Sequence, residues 1–355
     1  MIDSSPWLIT PDDPVLITGA GGFIGSRVAL RLASSGFRRI RCLVRPAGDL
    51  AKLQSAFGSS WDAAPVEVFR GDLLVPEDCR AATRDVRVVY HLAAGRGEKS
   101  FSEAYLQSVV TTRNVLAACL DHGCLRRFVT VSSFSVYSNQ GNPRGRLLDE
   151  TAPVEPRPER FGDAYCYAKV RQDQMVEEYA RIHMMPCVMV RPGIVYGPGS
   201  ERIHGRVGLD TFGVFLHLGG GNRLPLTYVD NCADAIVLAG LIAGIDGEVF
   251  NVVDDELPTS RRFLRLYKRK VRRFASLYVP HTVSYLLCLL WEKYSDWSEG
   301  QLPPAYNRRA WHVYWKRTRY TNEKLKRTLG WTPGVPMADA LERFFASCRE
   351  KSLHA

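Results

Sequence analysis

The sequence is short of the features that would mark several classes of protein. No apolar run approaches the length of a membrane span. The nearest, residues 283–291, holds Tyr285, Leu286, Leu287, Cys288, Leu289 and Leu290 and is too short to cross a bilayer. A buried helix is expected there, with no transmembrane segment and with peripheral membrane or lipid-substrate contact as the alternative. The nine cysteines are scattered without paired spacing, so neither a metal site nor a disulfide framework is expected. Several lie inside apolar runs and read as reduced core residues of a cytoplasmic protein. Residues 1–14 carry Asp3, Asp12 and Asp13 and no apolar core of signal-peptide length. Internal repeats and low-complexity tracts are missing as well.

What remains is the composition of a soluble globular chain, 46% hydrophobic and 24% charged over 355 residues. A large α/β domain with a smaller lobe would use that length. The formal charge of +10 suits anionic ligands such as a dinucleotide phosphate, or an anionic membrane surface. Its densest clusters are Arg261, Arg262 and Arg265, then Lys268, Arg269, Lys270, Arg272 and Arg273. They alternate with Phe263, Leu264, Leu266, Tyr267 and Val271, which predicts an amphipathic helix with a solvated basic face. No recognition motif accompanies the charge, so no nucleic-acid partner is expected.

Strand-like and helix-like segments alternate through the first half, the pattern of a parallel sheet with crossover helices. Strands are expected at 15–18, 39–44, 66–70, 86–91, 127–132 and 187–191, and helices at 22–35, 76–83, 102–122 and 165–183. Beyond Arg191 the alternation fades into glycine- and proline-punctuated segments. The expected fold is a Rossmann-type, doubly wound parallel sheet with a smaller C-terminal substrate-binding lobe. Its core domain would span 1–191 and the lobe mainly 192–355, with about 226–253 returning to the core.

The most informative stretch is Val15-Leu16-Ile17-Thr18-Gly19-Ala20-Gly21-Gly22-Phe23-Ile24-Gly25, an apolar strand breaking into glycines. Gly19, Gly22 and Gly25 let the backbone turn sharply, approach a ligand and pack helix on strand. The N–H groups that open the helix then favour a pyrophosphate. About 20 residues on, where an acid usually holds the adenosine ribose, stands Arg45, with Asp49 further along the loop. A guanidinium suits a ribose 2′-phosphate, so NADP is favoured over NAD. The competing reading is an Arg stacked on adenine or left in solvent. Asp72 and Leu73, after the third strand, and Leu92, Ala93 and Ala94, after the fourth, are further cofactor candidates. His91 reads as a satisfied structural histidine.

The fifth strand runs into Ser132, Ser133 and Ser135, and some 30 residues later Tyr165 and Lys169 open a helix four apart, on one face. A phenol titrates near 10, and an adjacent ammonium draws that value down. Tyr165 could then exchange a proton with a substrate oxygen while a nicotinamide exchanges hydride with its carbon. A serine hydroxyl would orient that oxygen. Tyr137 and Tyr167 are left to packing or substrate contact.

These motifs resemble the extended short-chain dehydrogenases/reductases, the NAD-dependent epimerase/dehydratase family. The resemblance rests on residues 18–25, 71–73, 91–94, 132–137, 165–169, 191–199, 228–231 and 329–333, and so covers nearly the whole chain. It implies an NAD(P)-binding Rossmann domain, a substrate lobe, and Ser133, Tyr165 and Lys169 as catalytic residues, with Tyr165 and Lys169 also at the cofactor. It further implies a small-molecule substrate and, as in many members, a homodimer. Two departures narrow the branch. Ile194 stands where sugar-nucleotide epimerases carry an Asn for the substrate diphosphate, and Ser108 replaces a family Asn near the cofactor. The Arg45 strand end, Arg191 to Gly199 and the apolar segment up to Trp291 resemble the 3β-hydroxysteroid dehydrogenase and dihydroflavonol reductase branch. A reductase or dehydrogenase acting on a secondary alcohol or ketone is therefore expected. The alternatives are a nucleotide-sugar epimerase or dehydratase, with Arg202, Arg206, Arg223 or Arg261 clamping the diphosphate, and a non-catalytic NADP-binding regulator. The aromatic stretch from Trp291 to Tyr320 is expected to pack the small lobe.

Overall fold

A computed structural model describes residues 7–95, 100–140, 145–161, 163–200, 203–211, 213–298 and 307–353. The first part of the chain runs β1 (Val15–Thr18), α1 (Gly25–Ser34), β2 (Ile40–Val44), α2 (Ala51–Phe57), β3 (Val66–Arg70), α3 (Pro76–Thr83) and β4 (Val88–His91). There follow α4 (Phe101–Tyr105), α5 (Thr111–His122), β5 (Arg127–Val131), β6 (Leu147–Leu148), α6 (Ala164–His183) and β7 (Cys187–Pro192). The rest comprises β8 (Ile194–Tyr196), β9 (Gly208–Thr211), β10 (Val214–His217), β11 (Leu226–Tyr228), α7 (Val229–Leu241), β12 (Val249–Val252), α8 (Ser260–Lys270), β13 (Ser276–Tyr278), α9 (His281–Trp297), α10 (Arg308–Tyr314), β14 (Arg319–Tyr320), α11 (Glu323–Leu329) and α12 (Met337–Leu353).

Seven strands form one sheet in the order β12-β7-β5-β4-β1-β2-β3, with every pairing parallel. Alternate residues feed opposite faces, as the pleat requires. Val15, Ile17, Val88, Tyr90, Val129 and Val188 pack under α1 and α7. Leu16, Val89, Phe128, Cys187 and Met189 pack under α3, α5 and α6. Both faces are covered, which is why the strands read as continuous apolar runs. The order reverses at β1, which pairs β2 on one side and β4 on the other. A crevice therefore opens beyond the carboxyl ends of β1 and β4.

The second lobe has its own apolar cluster, with Tyr196, Phe215, Tyr228, Phe263, Tyr267, Phe344 and Phe345. Phe23, from the glycine turn, is part of it, and Ile24 packs against both this cluster and the sheet core. The return of β12 to the sheet edge beside β7 ties late sequence to the first half.

Two sequence expectations need correction. Residues 102–122 are not one α-helix: a π-helical turn at Leu106–Val110 separates α4 from α5. There the Thr111 and Thr112 hydroxyls bond back to the carbonyls of Gln107 and Ser108, and such turns often lie beside functional sites. Nor is the apolar segment 283–291 a buried helix. In α9 the buried positions are the small Ser284, Cys288 and Ser295, whereas Leu286, Leu287 and Leu290 are more than half exposed. Trp311 and Trp315 fill the adjoining core instead. Of the candidate diphosphate clamps, Arg206 is buried and donates to the Val313 carbonyl and the Tyr320 hydroxyl. Arg223 donates to the Leu257 carbonyl, and Arg261 lies over the Tyr278 ring. Arg202 lies outside the described residues.

Candidate active site

The glycine turn sits at the mouth of the crevice. Gly19 has φ +72°, a left-handed conformation that favours glycine, and a Cβ on it would meet the Ala93 nitrogen at 3.0 Å. Gly22 N donates to the Gly19 carbonyl at 3.0 Å and closes the turn. A Cβ on Gly25 would collide with that same carbonyl and with the Ala20 backbone, so helix and strand touch here. The N-cap of α1 is Ile24, which offers no side-chain cap, so the leading N–H groups of the helix have no side-chain acceptor. Backbone from Leu92 to Ala94 forms the opposite wall. Thr18 Oγ1 accepts from Ala93 N at 3.2 Å, and Ser108 Oγ accepts from Gly95 N at 3.0 Å, which holds that wall in place. This is a backbone-lined cradle that side chains would fill, and a dinucleotide fits it.

At the outer end, Arg45 is exposed at the close of β2. Its loop is pinned by Arg70, whose Nη1 donates to the Pro46 and Gly48 carbonyls at 2.9 and 3.1 Å. The Asp49 carboxylate accepts from Ala51 N at 2.8 Å and so starts α2. That leaves Arg45 as the charged side chain closing the strand, without an acid in its place. Asp72 is half-buried after β3 and accepts from Leu74 N, while Leu73 is buried beneath it.

The carboxyl end of β5 carries the hydroxyl cluster. Ser133 is half-buried and its Oγ accepts from Ser135 N at 3.1 Å. The facing helix α6 is started by Asp163, whose Oδ1 accepts from Cys166 N at 3.0 Å. This cap fixes the first turn, on which Tyr165 is 36% exposed. One turn deeper, Lys169 is buried. Its Nζ donates to the Val131 carbonyl at 2.7 Å, immediately before the two serines, and to Gln172 Oε1 at 2.8 Å.

Behind Lys169 runs a continuous polar chain. Gln172 Nε2 donates to Thr112 Oγ1 at 2.7 Å; Thr112 meets His91 Nε2 at 2.8 Å, and His91 Nδ1 meets Thr18 Oγ1 at 2.9 Å. The chain thus joins the ammonium to the strand end that carries the glycine turn. Burial pushes Lys169 down to about 8, with Asp173 pulling the other way. Burial, and secondly the charge of Lys169, hold His91 down at about 3. At neutral pH the pair is therefore an ammonium beside a neutral imidazole. A buried ion pair flanks them: Arg191 bonds Asp173 Oδ2 at 2.9 Å, and Ser132 Oγ donates to the same oxygen.

Sequence reasoning missed Arg309. From α10 in the second lobe its Nε reaches Glu155 Oε2 at 3.3 Å, and its other nitrogens reach Asp163, the Ser135 carbonyl and Cys166 Sγ. One guanidinium therefore locks the cap of α6 to the loop after Ser133. No local pattern marks it, because its partners are more than 140 residues away in sequence. Gln172 was missed as well, although the helical spacing one turn beyond Lys169 is a signal that could have found it. Tyr137, left to packing or substrate, is buried and donates to Asn251 Oδ1, and Tyr167 packs edge-on to Phe101. Among the described residues no three His, Cys, Asp or Glu side chains converge on a metal-sized site.

A model of the NAD dependent epimerase/dehydratase family matches residues 15–252. A 2-alkyl-3-oxoalkanoate reductase of Stenotrophomonas maltophilia is 28% identical over 94% of this chain and 98% of its own. A UDP-glucose 4-epimerase of Mycolicibacterium smegmatis is 28% identical over 95% and 99%. The structure of UDP-glucuronic acid 4-epimerase from Bacillus cereus, in complex with UDP-glucuronic acid and NAD, superposes with a TM-score of 0.71 at 22% identity. It covers 95% of this chain and 99% of that one, a likeness of fold.

Proposed function

This chain belongs to the NAD-dependent epimerase/dehydratase family, and on that premise we propose that it is an NAD(P)-dependent reductase or dehydrogenase of a secondary alcohol or ketone. The observation that carries the reading is the buried Lys169 ammonium. It is bonded to the Val131 carbonyl beside Ser133 and stands four residues along α6 from Tyr165. A bound nicotinamide supplies or takes the hydride at the substrate carbon. Tyr165 gives or takes the proton at the substrate oxygen. The Lys169 charge stabilises the phenolate form of Tyr165, and Ser133 donates a hydrogen bond to the same oxygen. Gly19, Gly22, Phe23, Ile24 and Gly25 would hold the pyrophosphate, with Leu92, Ala93 and Ala94 along the other wall. Asp72 and Leu73 would hold the adenine end. Arg45 at the end of β2 favours NADP, since a guanidinium there suits a 2′-phosphate.

The reductase reading is supported over sugar-nucleotide chemistry by Ile194, which cannot donate to a diphosphate, and by the occupation of Arg206 in its carbonyl bond. The nine cysteines form no disulfide among themselves and eight of them are buried, which fits a reducing compartment. The test is consumption of reduced cofactor in step with a carbonyl substrate, beside a thermal-shift panel of UDP, GDP and dTDP compounds. Stabilisation by one of those sugar nucleotides, without net cofactor consumption, would replace this reading with an epimerase.

A further inference from the structure

Among the described residues, one large apolar surface has no partner. On α9, Val283, Leu286, Leu287, Leu290, Tyr294 and Trp297 are 45, 54, 54, 62, 49 and 76% exposed. At 100° per residue these six fall within an arc of about 100°. The opposite side of the helix is the small, buried set of Ser284, Cys288 and Ser295, with Ser284 Oγ accepting from Trp311 Nε1 at 2.9 Å. The hydrogen bond fixes the rotation, so the bulky residues face outward by construction. The preceding strand β13 adds Leu277 and Tyr278, 60 and 44% exposed. Such a patch far exceeds the scattered exposed Leu of ordinary surfaces.

Charge at its edge identifies the occupant. No Asp or Glu occurs between residues 257 and 291, while 261–273 contain Arg261, Arg262, Arg265, Lys268, Arg269, Lys270, Arg272 and Arg273. These cations flank the apolar strand directly. Arg261 lies over the Tyr278 ring, Lys268 Nζ bonds Ser276 Oγ at 2.6 Å, and Lys268 and Arg272 stack on Phe274. Arg269, Arg272 and Arg273 are exposed. No helix among the described residues is long and apolar enough to cross a membrane. A bulky apolar stripe with a cationic rim on a helix of this length suits an anionic lipid surface. A second copy placed on it about a twofold axis would bring two cationic rims to one interface.

We propose that α9 and β13 form a docking face that seats the protein on an anionic bilayer, with the Leu and Trp side chains in the acyl boundary and the 261–273 cations on the headgroups.

The experiment is flotation of the full chain with vesicles of phosphatidylcholine alone and of phosphatidylcholine mixed with phosphatidylserine. The expected result is flotation with the mixed vesicles, at least tenfold weaker on the neutral ones. Leu286→Glu with Leu290→Glu, and separately Trp297→Ser, should reduce it tenfold or more while thermal unfolding is unchanged. Arg269→Gln, Arg272→Gln and Arg273→Gln together should weaken it roughly a hundredfold on anionic vesicles. Wild-type protein that stays lipid-free, or Glu variants that float as well as wild type, would overturn the proposal. So would light scattering that finds a dimer which Leu286→Glu with Leu290→Glu splits, since a second copy would then cover the face.

Discussion

Lys169 and Gln172 share one hydrogen bond of 2.8 Å, one turn apart on α6, and both are buried. Gln172 therefore positions the ammonium and supplies one of its acceptors. Gln172→Leu would leave the buried charge an acceptor short, at a cost of about 1–3 kcal/mol, and would lower the Lys169 pKa further. Gln172→Glu adds a negative charge beside the ammonium and raises it. If Tyr165 depends on that charge, the alkaline limb of kcat/KM, expected near pH 8, shifts down in the first variant and up in the second. A pH–rate profile of the three proteins checks this.

The same ammonium has a thermodynamic signature. Burial holds it at about 8 in the folded state, below the ordinary lysine value of 10.5. The folded state thus holds fewer protons than the unfolded chain between those values, and stability rises with pH across that window. Below pH 8 the full cost of the buried charge is present. Denaturant titrations at several pH values should show this rise in wild type and its absence in Lys169→Met.

Tyr165→Phe removes the proposed proton donor and leaves the ring. Turnover should fall by about 10²–10⁴, with cofactor affinity unchanged by calorimetry. Turnover at the wild-type rate would refute the role.

Arg45 closes β2 without a competing acid, since Asp49 starts α2. Arg45→Asp should reverse the cofactor preference from NADP to NAD, which titration of both cofactors against both proteins measures.

Arg309→Leu would strip the countercharge from Glu155, itself 3% exposed. A loss of about 3–5 kcal/mol is expected, read from urea unfolding. Arg309→Lys should recover only part, because a single ammonium cannot match the guanidinium's several bonds.

His91 is held neutral by burial, with its pKa down at about 3. Its imidazole NMR signals should not titrate between pH 5 and 8.

Six of the seven strands of the sheet were legible to within two residues because most are covered on both faces, and continuous Val, Ile and Leu runs have few other uses; β12 was not placed as a strand. Val66–Arg70 and Pro76–Thr83 were read to the residue. The glycine turn was legible because Gly19 and Gly25 answer to local backbone collisions. The π-turn was not, since it depends on hydroxyl bonds within a run that is helical by propensity. The orientation of α9 was hidden because composition does not say which side of an apolar helix faces in; the bond between Trp311 and Ser284 decides it. Arg309 was hidden for a related reason: its meaning lies in Glu155 and Asp163, far off in sequence.

The late return of β12 to the edge beside β7 has a practical consequence. Cutting the chain after Arg191 would not release a self-sufficient half. Such a fragment would bare the backbone donors and acceptors of β7 along one margin and, without α7, uncover Tyr90 and Val129 beneath it. An open strand bordered by unroofed apolar side chains is a template for sticking to its own kind. Deletion libraries of this protein should therefore yield inclusion bodies, not soluble nucleotide-binding fragments, until the carboxyl boundary passes residue 252.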